Sequence, residues 1–535
     1  MNSISKYIYN LLVKPFKSQF PFFVIILLFS SIVDLIGFSI FESVPKAIFI
    51  CMHHFVICYF ITFILCILPS KIRKWYRGLF FLLLGVNFLI DIICVYSFHF
   101  TFDQEVPAIL LGTNSNEAIE FIHTFIPYSL VLIIIVSFLF FGFVYIKLRQ
   151  IPLYIKDKYC IVLLLLVFLS LLSFATISNK NFGNVSITKV YTILNATSPP
   201  DLKDYAVHPQ LLTLSEKKPK NIVMIIGESF SKTHSSLYGY HKNTNPCLKV
   251  LQNNGLLYIF NNIQTPALNT VPVFQSLMST YKPEFKDSIN WFECITIQGV
   301  LNEAGYYTSW ISNQSQKGFH DNVIAKFAYL CDTSVFAGNR FAAMGKKDFD
   351  EIIIDSISKY KNIRDEQYYK FYFIHLMGSH PDFKKRYPLS FDIFKADDYP
   401  DKKKEQRNIL ASYDNSILYN DFVVSKIMNL FSEDEAIIFY FSDHALDVFN
   451  SRDDYVGHAR YNDSKSVIAG SNIPFMVYMT PSFQSDFAEI KNILQSKLDC
   501  YYRIDDMIYT IMDIIGVRFK DNNRDNSKQS LLNLY

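Results

Sequence analysis

Five apolar stretches before residue 180, at 20–41, 47–69, 78–99, 125–146 and 159–177, constrain this chain more than anything that follows them. Each is close to the ~20 residues a helix needs to cross the hydrocarbon layer. A backbone in lipid has to satisfy its own N–H and C=O groups, so each stretch is expected to be a spanning helix. One cleaved leader would be a single short segment, and five stretches therefore read as anchors. The chain has 535 residues, half of them hydrophobic, which is too long for one core. Two domains are expected, one of them in the membrane.

Lysine and arginine sort across these stretches. Lys6, Lys14 and Lys17 precede the first; Lys71, Arg73, Lys74 and Arg77 follow the second; Lys147, Arg149, Lys156 and Lys158 lie between the fourth and fifth. The positive-inside rule makes all three groups cytoplasmic. The loop between the third and fourth stretches carries Asp103, Glu105, Glu117 and Glu120 and is expected to face outward. Five crossings then place everything after residue 178 on the outer side. Asp34, His53, His54, Asn87 and Asp91 lie inside the spans, where polar groups face other helices or a wet cavity. A net charge of +3 gives no reason to expect a nucleic-acid partner. Of nine cysteines, Cys247, Cys294, Cys331 and Cys500 fall in the outer part, and a Cys294–Cys331 disulfide is one option that sequence cannot decide.

Residues 179–218 read as a linker along the membrane surface, and 219–535 as a separate domain. There, short apolar runs (221–227, 369–377, 436–443, 473–479) alternate with helical stretches such as 413–431. That pattern predicts an α/β fold with buried strands in a mostly parallel sheet, whose function gathers at the strands' carboxyl ends. Those ends carry Glu228, then His375 and His380, then Asp443 and His444. Carboxylate and imidazole converging from several strand ends are the ligands of a divalent metal ion.

"NIVMIIGESFSKTHSSLYGY" (221–240), "HLMGSH" (375–380), "SDH" (442–444), "ISNQSQKG" (311–318), "YDNSILYND" (413–421) and "GHARY" (457–461), behind five apolar stretches, resemble the membrane-anchored phosphoethanolamine transferases of Gram-negative envelopes, in the alkaline phosphatase and sulfatase superfamily. The resemblance implies a zinc ion held by Glu228, a nucleophilic threonine, Asp443 and His444, with His380 and His458 meeting the phosphoryl group or a second zinc. Thr270 is chosen as nucleophile because Pro272 suits the first turn of a helix that Thr270 would cap; Thr265 is the reserve. His375 reads as core packing. The resemblance also implies donor contacts from Thr113 and Glu117 and substrate contacts from Ser315 and Lys317. The implied partners are phosphatidylethanolamine as donor, lipopolysaccharide (core sugar or lipid A) or another envelope acceptor, and membrane lipid, for a monomer in the bacterial inner membrane with its catalytic domain in the periplasm. A phosphoglycerol transferase acting on an envelope glycan and a catalytically inactive membrane scaffold are the alternatives.

Overall fold

The structure, a computed structural model, describes residues 17–41, 43–98, 101–102, 128–147, 201–205, 207–285, 288–314, 323–338, 349–362, 369–453, 455–458, 464–521 and 529–532, with Tyr9 and Val13. They belong to two compact units, one of apolar helices and one α/β unit.

In the first unit, α1 (Phe20–Phe41), α2 (Val44–Ile67), α3 (Ser70–Ile93) and α4 (Tyr128–Lys147) follow the first four apolar stretches. Three helices among the described residues are long and apolar enough to cross a membrane, spanning Phe20–Ile40, Val44–Ile67 and Ser70–Tyr96. The fifth stretch, 159–177, lies outside the described residues, as do Thr113, Glu117, Ser315 and Lys317. The third helix begins eight residues before the expected stretch. Pro69, which has no N–H to lose, stands at its N-cap. Lys71, Arg73, Lys74 and Arg77 are thus in its first two turns, where long cationic side chains can extend from the helix end toward the interface. Phe29 keys the bundle, its ring 5.3 Å from Phe81 and Phe88 and 4.5 Å from Phe141.

The α/β unit is built on a seven-stranded sheet of β1 (Asn221–Gly227), β2 (Leu257–Phe260), β3 (Tyr306–Ser312), β4 (Thr333–Phe336), β5 (Tyr369–His375), β6 (Ala436–Ser442) and, after a hairpin of β7 (Leu446–Val448) and β8 (Val456–His458), β9 (Phe475–Met479). Its order is β2-β9-β6-β1-β5-β3-β4. Five neighbouring strands, β6 to β4, run parallel, and β9 runs antiparallel to both β6 and β2. The apolar runs are continuous rather than alternating because both faces are covered: Ile222, Met224 and Ile226 join one core, Val223 and Ile225 the other. The helices include α5 (Pro246–Asn253), α6 (Thr270–Leu277), α7 (Ile297–Glu303), α8 (Ile353–Lys361), α9 (Lys404–Asn429) and α10 (Met507–Ile514). Leu202, in the segment read as linker, is buried in this unit's core, and Leu211–Thr213 pairs with Val517–Phe519. Cys294 and Cys331 are not joined in a disulfide with each other.

Candidate metal site

Strands β1 and β6 are parallel neighbours with Gly227 opposite Ser442, so the residues that follow them leave the sheet side by side. Glu228 follows one strand and Asp443-His444 the other; all three are buried, and their ligand atoms lie within 4.8 Å of one another. Thr270 arrives from a different direction as the first residue of α6. His444 Nε2 is 3.2 Å from Thr270 Oγ1, 3.3 Å from Glu228 Oε1 and 3.5 Å from Asp443 Oδ2. Thr270 Oγ1 is 3.4 Å from Glu228 Oε2.

These separations are long for hydrogen bonds between charged groups, which close to about 2.8 Å. They are close to the ~3.3 Å between neighbouring donors that each stand ~2.0–2.1 Å from one zinc ion, with His444 nearest Glu228 Oε1 and Thr270 nearest Glu228 Oε2. Asp443 Oδ2 is buried and has no hydrogen-bond partner among the described residues. The residues present therefore fit the metal.

The outer sides of the donors are held. Asp443 Oδ1 accepts from the His444 and Ser229 backbone N–H groups at 2.7 and 3.3 Å. Ser229 Oγ donates to Glu228 Oε1 at 2.7 Å, and Gln314 Nε2 to Glu228 Oε2 at 3.3 Å. The His444 ring has Nδ1 3.3 Å from the Ala445 carbonyl, to which it donates, and this turns Nε2 to the site. Burial and the Glu228 charge push Asp443 up to about 7. Burial opposes protonation of His444, but Asp443 and Glu228 outweigh it and hold the imidazole up at about 9. Two buried carboxylates against one imidazole leave the pocket short of positive charge.

Thr270 is the first helical residue rather than the expected N-cap; Asn269, in extended conformation, takes that position and makes no side-chain cap. Pro272 has no N–H, so the first turn offers the N–H groups of Thr270 and Val271 toward anionic oxygen. Thr265 is buried, with its N–H on Ser471 O and its hydroxyl without a hydrogen-bond partner among the described residues. His458, on β8, lies with its ring 4.7 Å from that of His444 and its Nδ1 3.2 Å from Leu268 O. His380 follows β5 on the turn whose Ser379 N–H donates to Glu228 O at 2.9 Å. His375 is fully buried against Phe274 and Trp310, as a core residue.

Sequence reasoning passed over three supports. Ser229 holds a left-handed φ of 60°, a conformation costing on the order of 1–3 kcal/mol for a non-glycine residue, and it sits between the two carboxylates. Tyr413 OH donates to Ser229 O at 2.7 Å and accepts from Ser231 N–H at 2.8 Å, fixing that strained turn. Gly378 (φ 54°) passes so close that a Cβ would stand 2.7 Å from Glu228 O. A glycine just before a site histidine was the one available signal.

The α/β unit thus carries three buried side chains of metal-ligand type beside a threonine at a helix N-terminus. The sequence pattern of the sulfatase family matches residues 220–517, and the chain belongs to that family. It is 26% identical to phosphoethanolamine transferase EptC of Escherichia coli K12 over 78% of this chain and 76% of that protein. With phosphoethanolamine transferase EptA of Helicobacter pylori the identity is 24% over 79% and 80%. In fold it resembles the integral membrane protein lipooligosaccharide phosphoethanolamine transferase A of Neisseria meningitidis, with a TM-score of 0.67 and 17% identity over 99% of this chain and 97% of that one. The C-terminal periplasmic domain of E. coli EptC, solved in complex with zinc, gives a TM-score of 0.54 at 24% identity over 63% and 91%.

Proposed function

We propose that this chain transfers phosphoethanolamine from phosphatidylethanolamine to a lipopolysaccharide acceptor, core sugar or lipid A, at the outer face of the bacterial inner membrane. The observation that carries the reading is the placement of Thr270 Oγ1 within 3.2–3.4 Å of His444 and Glu228 at the start of α6. Names of relatives support the transferred group, and the apolar helices support a lipid donor, whose head group is fixed at the interface.

Glu228, Thr270, Asp443 and His444 would hold one zinc ion. An ion there would supply a lowered pKa for the Thr270 hydroxyl and neutralisation of charge on the phosphate oxygens. Thr270 gives up its hydroxyl proton to solvent, and its Oγ1 forms the bond to phosphorus while the bond to the diacylglycerol oxygen breaks. The Thr270 and Val271 N–H groups receive a phosphate oxygen, where the helix end favours developing negative charge. His458 keeps its proton on Nδ1 through Leu268 O, leaving Nε2 to accept. His380 hands a proton to the departing glycerol oxygen. In the second half-reaction the acceptor hydroxyl attacks the phosphothreonine from the opposite side, returning its proton to His380 and releasing Thr270. Thr113 and Glu117 are assigned to the ethanolamine head group, Ser315 and Lys317 to phosphate or acceptor.

Incubating the purified full-length protein with phosphatidylethanolamine alone tests this. Without an acceptor the second step stalls, so a phosphoethanolamine adduct accumulates on the peptide spanning 261–282, at Thr270. An adduct on Thr265 overturns the assignment of Thr270 as nucleophile; no adduct in an active, zinc-loaded sample overturns the covalent mechanism.

A further inference from the structure

We infer that Asp350 is a positioning residue that locks the turn carrying His380 to the loop carrying Gln314, and so sets the distance across which phosphate is held. Asp350 is buried at the start of a short turn, Asp350–Ile352, ahead of α8. Its oxygens serve other loops. Oδ1 accepts from Asn313 Nδ2 at 2.9 Å and from Met377 N–H at 2.8 Å, and Oδ2 accepts from Gly378 N–H at 2.8 Å.

Each donor belongs to a segment with a side chain at the site. Asn313 precedes Gln314, whose Nε2 reaches Glu228 Oε2 and, at 3.0 Å, Leu376 O. Met377 and Gly378 precede Ser379, whose N–H donates to Glu228 O at 2.9 Å, and then His380. Arg386 grips the far end of the same turn, with Nε 3.1 Å from His380 O and Nη2 2.8 Å from Pro381 O. One carboxylate thus gathers three N–H groups from two loops, and the His380 turn is held at both ends. A buried carboxylate is costly to desolvate, and burial pushes Asp350 above the usual carboxylate range against the pull of these three bonds. Arg386 also adds an attractive charge. Such a group justifies its burial by fixing geometry, and misplacing a reacting group by about 1 Å costs on the order of 100-fold in rate.

The inference rests on the roles proposed for His380 and Gln314. Asp350→Asn keeps the shape but turns an N–H-bearing amide toward at least one of the three donors. In full-length protein assayed with phosphatidylethanolamine and acceptor, the expected result is a kcat reduced about 10- to 100-fold with KM within about threefold and zinc content unchanged. Amide hydrogen exchange in 376–380 should quicken, and Asp350→Glu should recover part of the rate. Asp350→Asn added to His380→Ala should lower the rate by less than about twofold beyond His380→Ala alone, since both act through one imidazole. Multiplicative losses, or unchanged exchange in 376–380, overturn the inference. If His380→Ala leaves the rate intact, the functional reading fails, while the exchange measurement still decides whether Asp350 locks the turn. Should Asp350→Asn not fold, Asn313→Ala removes one of the three donors and should give a smaller change of the same kind; no change in exchange or kcat there counts against the lock.

Discussion

Two sets of buried polar residues, one in each unit, are satisfied in opposite ways. In the helical unit Asp34 Oδ2 and His54 Nε2 lie 3.6 Å apart, and His54 Nδ1 is 3.4 Å from Ser31 Oγ. Asn87 is buried, and neither amide atom is hydrogen-bonded among the described residues. In the α/β unit, Glu228, Asp443 and His444 each have at least one hydrogen bond outside the pocket, and their remaining atoms converge with Thr270. The difference separates polarity that packing tolerates from polarity that is aimed. Buried donors whose backs are fixed and whose fronts face one another at metal-ligand spacing hold their geometry before any ligand arrives.

The sharpest way to break that contrast is at the aimed set. Thr270→Ala is expected to abolish the adduct and lower transfer by at least about 1000-fold, as loss of a nucleophile does, while much of the zinc stays. Ala at Glu228, Asp443 or His444 is expected to lower both, and chelation of the wild type should reproduce the loss, reversed by added zinc. Elemental analysis beside the transfer assay reads both. Full zinc retention in the Asp443→Ala and His444→Ala proteins would reduce the pocket to ordinary loop polarity.

Next in size is the close approach under Glu228. Gly378→Ala adds a methyl 2.7 Å from Glu228 O and 2.8 Å from Glu228 N, at a left-handed φ of 54°. Steric overlap with backbone and an unfavourable φ together should cost about 4 kcal/mol. Thermal denaturation of the variant checks this, and a shift smaller than that of an exposed Gly→Ala change such as Gly78→Ala would show that the two strand ends are not held together as described.

Glu228, Asp443 and His444 were legible because each follows an apolar strand directly, and parallel neighbours bring strand ends together without help from sequence proximity. Thr270 was legible through Pro272, though its place was off by one because Asn269, rather than the threonine, turns the chain into the helix. The supports were not legible. Asp350 lies 27 and 28 residues from the two amides it holds, and Tyr413 lies 184 residues from Ser229. Such pairings depend on tertiary placement and leave no periodicity or spacing to read. The early start of α3 was missed because a hydropathy window ends at charges, whereas a helix continues through them to Pro69.

His375 gives the pH-dependent member of the comparison: an imidazole buried for packing, in the same unit as those aimed at the site. Burial lowers it from its ordinary 6.5 to about 4. The folded state resists protonation, so between those values the unfolded chain binds more protons and stability rises with pH. The contribution is complete above pH 6.5 and is lost as pH falls toward 4, by roughly 3 kcal/mol. Denaturation of wild type and His375→Gln at pH 7 and pH 4.5 should show the gap between them shrinking at the lower pH. A constant gap would mean that His375 titrates freely and is not packed as a neutral ring.

The smallest effect is expected at Asn87, and it tests the other side of the contrast. Its amide is buried in α3 with neither Nδ2 nor Oδ1 hydrogen-bonded among the described residues. An unsatisfied amide inside a helical bundle costs stability, whereas bundle hydrogen bonds that are made contribute only about 0.6 kcal/mol on average. Asn87→Leu keeps the branched arrangement of heavy atoms and removes both orphaned polar atoms. The bundle should therefore become more stable, by up to about 1 kcal/mol, with transfer activity within about twofold of wild type. Denaturant titration of the full-length protein in mixed micelles measures the first, and the transfer assay the second. A loss of activity with stability intact would place Asn87 among the aimed residues, since a polar group that packing merely tolerates can be replaced by an apolar one of the same branching without consequence for chemistry.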